Sequence, residues 1–556
     1  MSASAEGVER VSESRAFVQV FLDQLASRPT HPHVTEVRGA TLQAFDGRAL
    51  AGMIARARGA LRASGVNAGD RVGLLAPNSA QWVAADVALL AEGAIVVPLY
   101  ARQEPAELVA MMHDAGVTLV VCGTTTLADA VRNHWPEVNV VALDALFDGA
   151  AVDEPAVTRA PSDCVTIVYT SGTSGEPKGV MITRAGVDYM LPVTRDGLRD
   201  LMGASAGQER VFHYLPFCFM GSRIVLWTAL YRAGGILVST NLENLAEELK
   251  TAKPHYFLNV PALLERIKKG VEAKLGTQPR LVRALYARCV AAYLRSVAGD
   301  VSALDRAALA VARRVVFARV RQQIGPDLVC LICGSAPLHP DTQRWFEMLG
   351  IPVYQVYGLT ETTAIVTMDI PGQAVPGRVG VVIRGVEMRL GEGDELQIRG
   401  PNVFAGYWQR PEATAAAFAD TAWFRTGDQC AIDGRGNLEV IGRVGNLLVA
   451  ESGHNIAPEP IEAKILAELG AAENCVVLGH GRPFLTAIVT GKLASEEVQQ
   501  ALDRVNATLP HYRRVRAFHV SREPFTIESG LLTANQKLRR RAIEKHYATA
   551  VQELYA

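Results

Sequence analysis

The run Tyr169-Thr170-Ser171-Gly172-Thr173-Ser174-Gly175-Glu176-Pro177-Lys178-Gly179 is built mostly of hydroxylated residues and glycines, with one ammonium near its end. It follows the apolar, strand-like segment Cys164-Val165-Thr166-Ile167-Val168, so it leaves a sheet as a loop. Backbone N–H groups, hydroxyls and a lysine gathered in one loop can hold a chain of phosphates. Glycine lets the backbone come close, because no Cβ stands between it and the ligand. A Walker A loop is excluded by spacing: it needs Gly-Lys followed by Ser or Thr, whereas here Pro177 precedes Lys178 and Gly179 follows it. A plain flexible Gly/Ser turn is the rival reading, and the ordered ending Pro-Lys-Gly argues against it.

Further segments carry the same kind of chemistry. Gly334-Ser335-Ala336-Pro337-Leu338 is followed by Val353-Tyr354-Gln355-Val356-Tyr357-Gly358-Leu359-Thr360-Glu361. Then come Arg425-Thr426-Gly427-Asp428, Gly442-Arg443 and Gly530-Leu531-Leu532-Thr533-Ala534-Asn535-Gln536-Lys537. Taken alone, Thr360-Glu361 reads as a helix N-cap, and a lysine before Leu538-Arg539-Arg540-Arg541 reads as one more exposed cation. Taken in order, from about Gly69 to Arg540, the set resembles the acyl-adenylate-forming synthetases. That superfamily includes acyl-CoA synthetases, luciferases and peptide-synthetase adenylation domains. Pro98-Leu99-Tyr100, Val260-Pro261 and Gly530-Leu531-Leu532-Thr533 most resemble its long-chain fatty acyl-CoA branch.

The resemblance implies a two-step reaction. A carboxylate attacks the α-phosphorus of ATP and pyrophosphate departs; the acyl-AMP then passes its acyl group to a thiol. Such chemistry needs positioning and charge neutralisation more than proton transfer. By the match, Thr170, Ser171, Gly172, Thr173, Ser174, Gly175 and Lys178 hold phosphates. Gly334, Ser335, Ala336 and Pro337 lie against adenine, Tyr357 stacks on it, and Gly358 leads into Thr360, which donates to the α-phosphate. Glu361 would hold Mg²⁺, a hard cation that takes only one or two protein carboxylates. Asp428 would accept from the ribose hydroxyls, since a carboxylate suits a vicinal diol, and Arg443 would reach the nucleotide. Lys537 would contact the substrate carboxylate and the α-phosphate.

A small C-terminal domain used in two orientations is also implied, one bringing Lys537 to ATP. The other presents Gly453 and His454 to a CoA channel. Two departures stand out. The hinge position is Gly445, where Asp or Lys is usual, and Phe219 stands where many members have His. Phe219 and Arg223, four residues on, are the expected acyl pocket or gate.

The elements that must position these groups are legible in the hydrophobic pattern. Val72–Leu75, Ala94–Val97 and Val117–Val121 read as strands, with helical stretches at Ala80–Leu90 and Glu104–His113 between them. Strands separated by helices indicate parallel β/α layers. The alternation resumes at Val211–Val260 and Leu328–Tyr357. From Arg378 to Val440, Gly391-Glu392-Gly393-Asp394 and Asp433-Gly434-Arg435-Gly436 predict hairpins of a compact β unit. After Arg443 the pattern is helix, strand, strand, helix, strand, with a helix opening at Pro458. The fold class expected is α/β: an N-terminal adenylation domain over 1–444, made of β/α layers plus a compact β unit, and a mobile C-terminal lid domain over 445–556.

Bulk composition bounds the rest. With 556 residues, 49% hydrophobic and 20% charged, the chain has ample core. A net charge of −1 argues against nucleic acid as a partner. The N-terminus lacks a secretory pattern, and the apolar stretch around Ala84–Pro98 is broken by Asp86 and Glu92 and is too short to span a bilayer. Eight scattered cysteines suggest reduced thiols and a cytoplasmic protein. Cys330 and Cys333 have C-x-x-C spacing without a second pair, which reads as buried structural cysteines rather than zinc ligands. The segment 266–321 carries 13 Lys or Arg, with Glu272, Asp300 and Asp305 inside it and Glu265 just before. A solvated helical face is the plain reading. A basic surface for anionic lipid, giving peripheral membrane contact, or for cofactor phosphates is the sharper one.

The reading is therefore an enzyme that activates a medium- or long-chain fatty acid with ATP and Mg²⁺ and transfers it to CoA. Three alternatives stand beside it. One is loading of a separate carrier protein, another a nucleotide-binding regulator without turnover, and the third a luciferase-like monooxygenase. A hydrolase lacks the G-x-S-x-G elbow.

Overall fold

β-branched apolar runs four or five residues long are too short for helices, and they pair side by side as strands. In the computed structural model, Arg71–Leu75 lies between Ile95–Leu99 and Leu119–Cys122, parallel to both. The helices Ala80–Ala91 and Pro105–Ala115 make the crossovers, as the alternation predicts. The structure describes residues 16–171, 177–205, 207, 209–297, 299–300, 302–420, 422–449, 455–533 and 537–555.

This first sheet has seven strands. Beyond Ile95–Leu99 come Cys164–Ser171, Pro177–Thr183 and Gly406–Tyr407; beyond Leu119–Cys122 comes Val140–Ala142. Cys164–Ser171 and Pro177–Thr183 form an antiparallel hairpin with Thr170 opposite Lys178, and residues 172–176 at its tip lie outside the described residues.

A second sheet of nine strands has six parallel strands at its centre: Val353–Tyr357, Leu331–Cys333, Tyr256–Asn259, Val211–His213, Ile236–Ser239 and Pro32–Arg38. Antiparallel strands close both edges. The largest apolar core fills the space between the two sheets and includes Val96, Trp227 and Val238. Cys330 belongs to that core, while Cys333, an odd number of residues later, points into the core on the other side of the second sheet. All eight cysteines are free.

The expected compact β unit is an antiparallel sheet built on Glu387–Leu390, Glu395–Arg399, Trp423–Ile432 and Leu438–Arg443, with the predicted turns joining its hairpins. It is less self-contained than the turn pattern suggests. Val381–Val382 joins the nine-stranded sheet, and Gly406–Tyr407 joins the seven-stranded one. Each is a two-residue strand whose pairing is set by a distant edge, which local pattern does not encode.

The C-terminal unit pairs Ala472–Leu478 antiparallel and Val515–Ser521 parallel to Leu485–Gly491. Helices Glu459–Glu468 and Ser495–Ala507 bury Ile461, Ile465, Val498 and Leu502 against that sheet. The basic segment forms three helices, Pro261–Gly276, Arg280–Val297 and Ala303–Ile324. Among the described residues no helix is long and apolar enough to cross a membrane.

The acids that interrupt the apolar stretch 84–98 have structural partners. Ser79 caps the helix Ala80–Ala91, every residue of which is buried except Gln81. Asp86 lies inside it, fully buried, in an ion pair with the equally buried Arg223 of the helix Met220–Tyr231. Trp227 Nε1 also donates to Asp86 at 2.9 Å, and Arg223 Nη1 donates to Thr166 at 2.5 Å. Glu92 is buried against Arg58 and Arg62 at 2.6 and 2.7 Å. Removing one member of a buried pair strands the other charge. Asp86→Ala is therefore expected to cost about 3–5 kcal/mol, while Asp86→Leu combined with Arg223→Met regains most of it. Urea denaturation followed by tryptophan fluorescence measures both.

Candidate functional site

The chemistry-bearing loops lie where strands of both sheets end, the usual place for a ligand in an open α/β sheet. Thr170 is the next-to-last residue of one strand of the first sheet, while Gly334 and Tyr357 follow or end strands of the second. Two glycines are demanded by close approach. A Cβ on Gly358 would fall 1.8 Å from the carbonyl oxygen of Ala364, and one on Gly334 would fall 2.9 Å from Val356. Ser335, Thr363 and Ala364 adopt left-handed backbone angles, which keeps both loops sharply bent. Ser335, Ala336 and Pro337 are exposed.

Asp428 is buried, and three groups hold it. Tyr357 donates its hydroxyl to Oδ2 at 2.6 Å, Arg443 Nε approaches Oδ1 at 2.9 Å, and Thr426 Oγ1 accepts from the Asp428 N–H at 3.1 Å. Asp428 and Arg443 are cross-strand partners in the β unit, so the pair follows from register. Burial raises the Asp428 pKa, opposed first by Arg443 and then by the Tyr357 hydroxyl and Lys537. Burial, and then the Asp428 charge, raise the Tyr357 phenol well above its ordinary value.

Glu361 sits in the single-turn helix Thr360–Thr362. Its Oε1 accepts from Tyr407 at 3.0 Å, and among the described residues its other oxygen has no hydrogen-bond donor. Lys178 Nζ lies 5.1 Å from the centroid of the same Tyr407 ring. Among the described residues no three His, Cys, Asp or Glu side chains cluster as a protein metal cage. A lone carboxylate with an open oxygen is the donor set of a metal that takes its other ligands from water and phosphates.

Lys537 arrives from the C-terminal unit. Thr533 and Lys537 close its loop, Thr533 N donating to the Lys537 carbonyl at 2.8 Å and Lys537 N to Thr533 Oγ1 at 3.1 Å. Residues 534–536 lie outside the described residues. The Lys537 side chain is accessible to solvent, and Arg443, Asp428 and Glu361 lie close enough to act on its charge. Partial desolvation there lowers its pKa, and Arg443 adds to the effect; Asp428 and Glu361 act the other way. Arg539 lies 3.6 Å from Glu107 of the large unit.

A cavity beside this cleft is lined by Tyr100, Thr170, Cys218, Phe219, Glu528 and Thr533, among others. The rings of Tyr100 and Phe219 are 5.7 Å apart, and burial pushes the Cys218 thiol up to about 12. Phe219 lines this cavity. Arg223 does not, which corrects its reading as a gate: its guanidinium is buried and committed to Asp86 and Thr166. Phe219 is the N-cap of the helix, with extended backbone, so the four-residue spacing to Arg223 does not put the two on one face.

Gly445 is exposed in the turn Val444–Asn446. Gly172, Thr173, Ser174, Gly175, Gly453 and His454 lie outside the described residues, as does the Ser171 side chain. Tyr407 is the functional candidate that sequence reading missed. Its signal is an aromatic residue that belongs to no recognised motif but pairs with the strand leaving the phosphate-loop hairpin.

A family profile described as AMP-binding enzyme matches residues 21–408, and one described as AMP-binding enzyme C-terminal domain matches residues 445–556. The chain is 27% identical over 537 residues to the long-chain-fatty-acid–CoA ligase FadD15 of Mycobacterium bovis, covering 88% of this chain and 89% of that one. It is 25% identical over 565 residues to the long-chain-fatty-acid–CoA ligase ACSBG2 of Xenopus laevis, covering 87% and 76%. Among solved structures, the adenylation domain of a carboxylate reductase from Mycobacterium chelonae matches with a TM-score of 0.78 at 21% identity, over 98% of this chain and 92% of that one. That structural likeness bears out the α/β fold class.

Proposed function

The chain belongs to the AMP-binding enzyme family, and from that premise we propose that it is an ATP-dependent fatty acid–CoA ligase acting on medium- or long-chain acids. The observation that carries this reading is the convergence of Lys178, Glu361, Asp428, Arg443 and Lys537 on one cleft between two separately packed units. Both relatives are named for fatty acids and for CoA, which supports those substrates over a separate carrier protein as acceptor.

In the first step a carboxylate oxygen of the acid bonds to the α-phosphorus of ATP, and the bond to the bridging oxygen breaks to release pyrophosphate. In the second the CoA thiol loses its proton, its sulfur bonds to the acyl carbon, and AMP leaves with the electron pair. Thr170, Lys178 and the loop between them would hold the phosphates. Thr360 would donate to the α-phosphate, and Asp428 would accept from the ribose. Tyr357 and the Gly334–Pro337 loop would flank adenine. Lys537 would lie between the attacking carboxylate and the α-phosphate, offsetting two like charges as they approach. Mg²⁺ on Glu361 would supply charge neutralisation for the phosphates and the leaving pyrophosphate. Phe219 and Tyr100 would line the acid's entrance, while Gly453 and His454 would border the thiol's channel.

Eight cysteines without a disulfide suit a reducing, cytoplasmic setting. One further observation favours a peripheral membrane contact. Leu281, Leu294, Val297, Leu304 and Val311 are exposed, at 85%, 50%, 53%, 72% and 57%, all within the basic helical segment 266–321. Exposed apolar residues among arginines suit an anionic bilayer surface.

Incubation with Mg-ATP, CoA and C6 to C18 fatty acids is expected to give acyl-CoA and AMP by mass spectrometry; no acyl product with any acid would overturn the reading. Lys537→Ala should lower acyl-AMP formation about 10²–10³-fold, while conversion of supplied acyl-AMP and CoA to acyl-CoA persists. Because the cleft lowers the Lys537 pKa, the first step should lose activity with rising pH below the ordinary lysine value of 10.5. Lys537→Arg should move that alkaline limb upward. Sedimentation with vesicles rich in phosphatidylglycerol is expected to carry the protein down, and vesicles of phosphatidylcholine alone are not. Leu281→Asp with Leu304→Asp should abolish the difference, and equal behaviour on both vesicles would refute the contact.

A further inference from the structure

The side chains expected to meet the triphosphate come from segments far apart in sequence, and one tyrosine touches two of them. Tyr407 donates its hydroxyl to Glu361 Oε1 at 3.0 Å while Lys178 Nζ stands 5.1 Å from the centre of its ring. The surrounding backbone leaves this arrangement little freedom. Phe404 N donates to the Glu361 carbonyl at 2.8 Å, Ala405 N to the Met181 carbonyl at 3.1 Å, and Trp408 N to the Gly179 carbonyl at 2.7 Å. The segment 404–408 therefore joins the Glu361 turn to the strand that carries Lys178.

The far side of the segment is fixed as well. Trp408 Nε1 donates to the Asp114 carbonyl at 3.1 Å, Arg410 pairs with Asp114 Oδ1 at 2.6 Å, and Tyr169 donates to Asp114 Oδ2 at 2.7 Å. Tyr169 adjoins Thr170 at the mouth of the phosphate-loop hairpin. Both strands of the hairpin are thus referenced to the same short segment. The Tyr407 N–H is taken by Thr414 Oγ1 at 2.9 Å, so its ring is held from its own backbone too.

We propose that Tyr407 is a positioning residue that sets the Glu361 carboxylate and the Lys178 ammonium in register for one metal–triphosphate unit. The hydroxyl fills Oε1 and leaves the other oxygen as the one turned to a metal. The ring offers Lys178 a π face at cation–π range, so its ammonium is held in place without a carboxylate that would neutralise it. An acid at position 407 would bind Lys178 more tightly and cancel the charge the phosphates need; a phenol orients both groups and neutralises neither.

The inference rests on the reading of Glu361 as the metal carboxylate, and three variants separate the two. Tyr407→Phe keeps the ring under Lys178 and removes only the bond to Glu361. It should weaken Mn²⁺ binding in the presence of ATP, read by electron paramagnetic resonance, about 10-fold or more, as loss of an orienting partner does. Affinity for ATP without metal, read by calorimetry, should stay at the wild-type value, as should the KM for fatty acid. Tyr407→Leu removes the ring as well and should further weaken metal-free ATP binding, about two- to fivefold. Glu361→Gln should weaken Mn²⁺ binding more than either. If Glu361→Gln weakens it and Tyr407→Phe does not, the inference is wrong while the metal reading stands. If Glu361→Gln leaves it unchanged, the metal reading falls and this inference with it.

Discussion

Three parts of the chain meet at the Asp428 carboxylate, and the geometry of the cleft depends on that junction. Tyr357 brings the end of the nine-stranded sheet, Asp428 belongs to the β unit, and Arg443 is the last residue before the turn that leads to the C-terminal unit. A buried carboxylate without donors would favour its neutral form and lose its hold on both neighbours. A phenol and a guanidinium upon it offset that burial and join the end of the nine-stranded sheet to the β unit. The arrangement also places Arg443 where it senses Glu361 and Lys537. The same small set of charges therefore ties the sheets together and sets the field in the cleft.

The phosphate-loop hairpin faces a different problem. A glycine-rich tip gains close approach to a ligand but loses the side-chain packing that would hold it. The strands beneath the tip are themselves firmly held. Cys164–Ser171 lies parallel to Ile95–Leu99, and Thr166 donates to the Val96 carbonyl at 2.6 Å. The other strand, Pro177–Thr183, is covered on its far edge by Gly406–Tyr407. Covering an edge removes a row of unpaired backbone groups. In this fold it also delivers the aromatic residue that touches Glu361 and Lys178. The buried Asp86–Arg223 pair acts one layer deeper, since Arg223 holds Thr166 from within the core.

On the C-terminal side the glycine at 445 contributes no side chain to the turn, and the polar contacts come from its neighbours. Asn446 donates to Glu459 Oε1 at 2.8 Å, and Arg540 reaches Glu459 at 3.7 Å and Glu462 at 2.6 Å. Arg540 follows Lys537 by three residues. The turn and the lysine segment are thus fastened to the same helix, Glu459–Glu468. Arg539, two residues after Lys537, also lies 3.6 Å from Glu107 of the large unit.

The sequence disclosed the candidate site loops more readily than the contacts that aim them, for a physical reason. A loop that must bend sharply or meet phosphate is restricted in residue type at consecutive positions, so Gly334–Pro337, Gly358–Glu361 and Arg425–Asp428 read directly. The layered fold was equally legible, because central parallel strands such as Arg71–Leu75, Ile95–Leu99 and Leu119–Cys122 are buried on both faces and appear as apolar runs. Cys330 and Cys333 fell on opposite faces as period-two geometry requires. Tyr407 was not legible, because its role arises from pairing with Val180 on a strand distant in sequence. Arg223 was misread for a related reason. The resemblance grouped it with Phe219, and only the position of Asp86 reveals which way the arginine turns. A charge within an apolar run, such as Asp86 or Glu92, is local evidence that a partner exists. Which residue it is depends on how the layers stack, and that is settled by the fold as a whole.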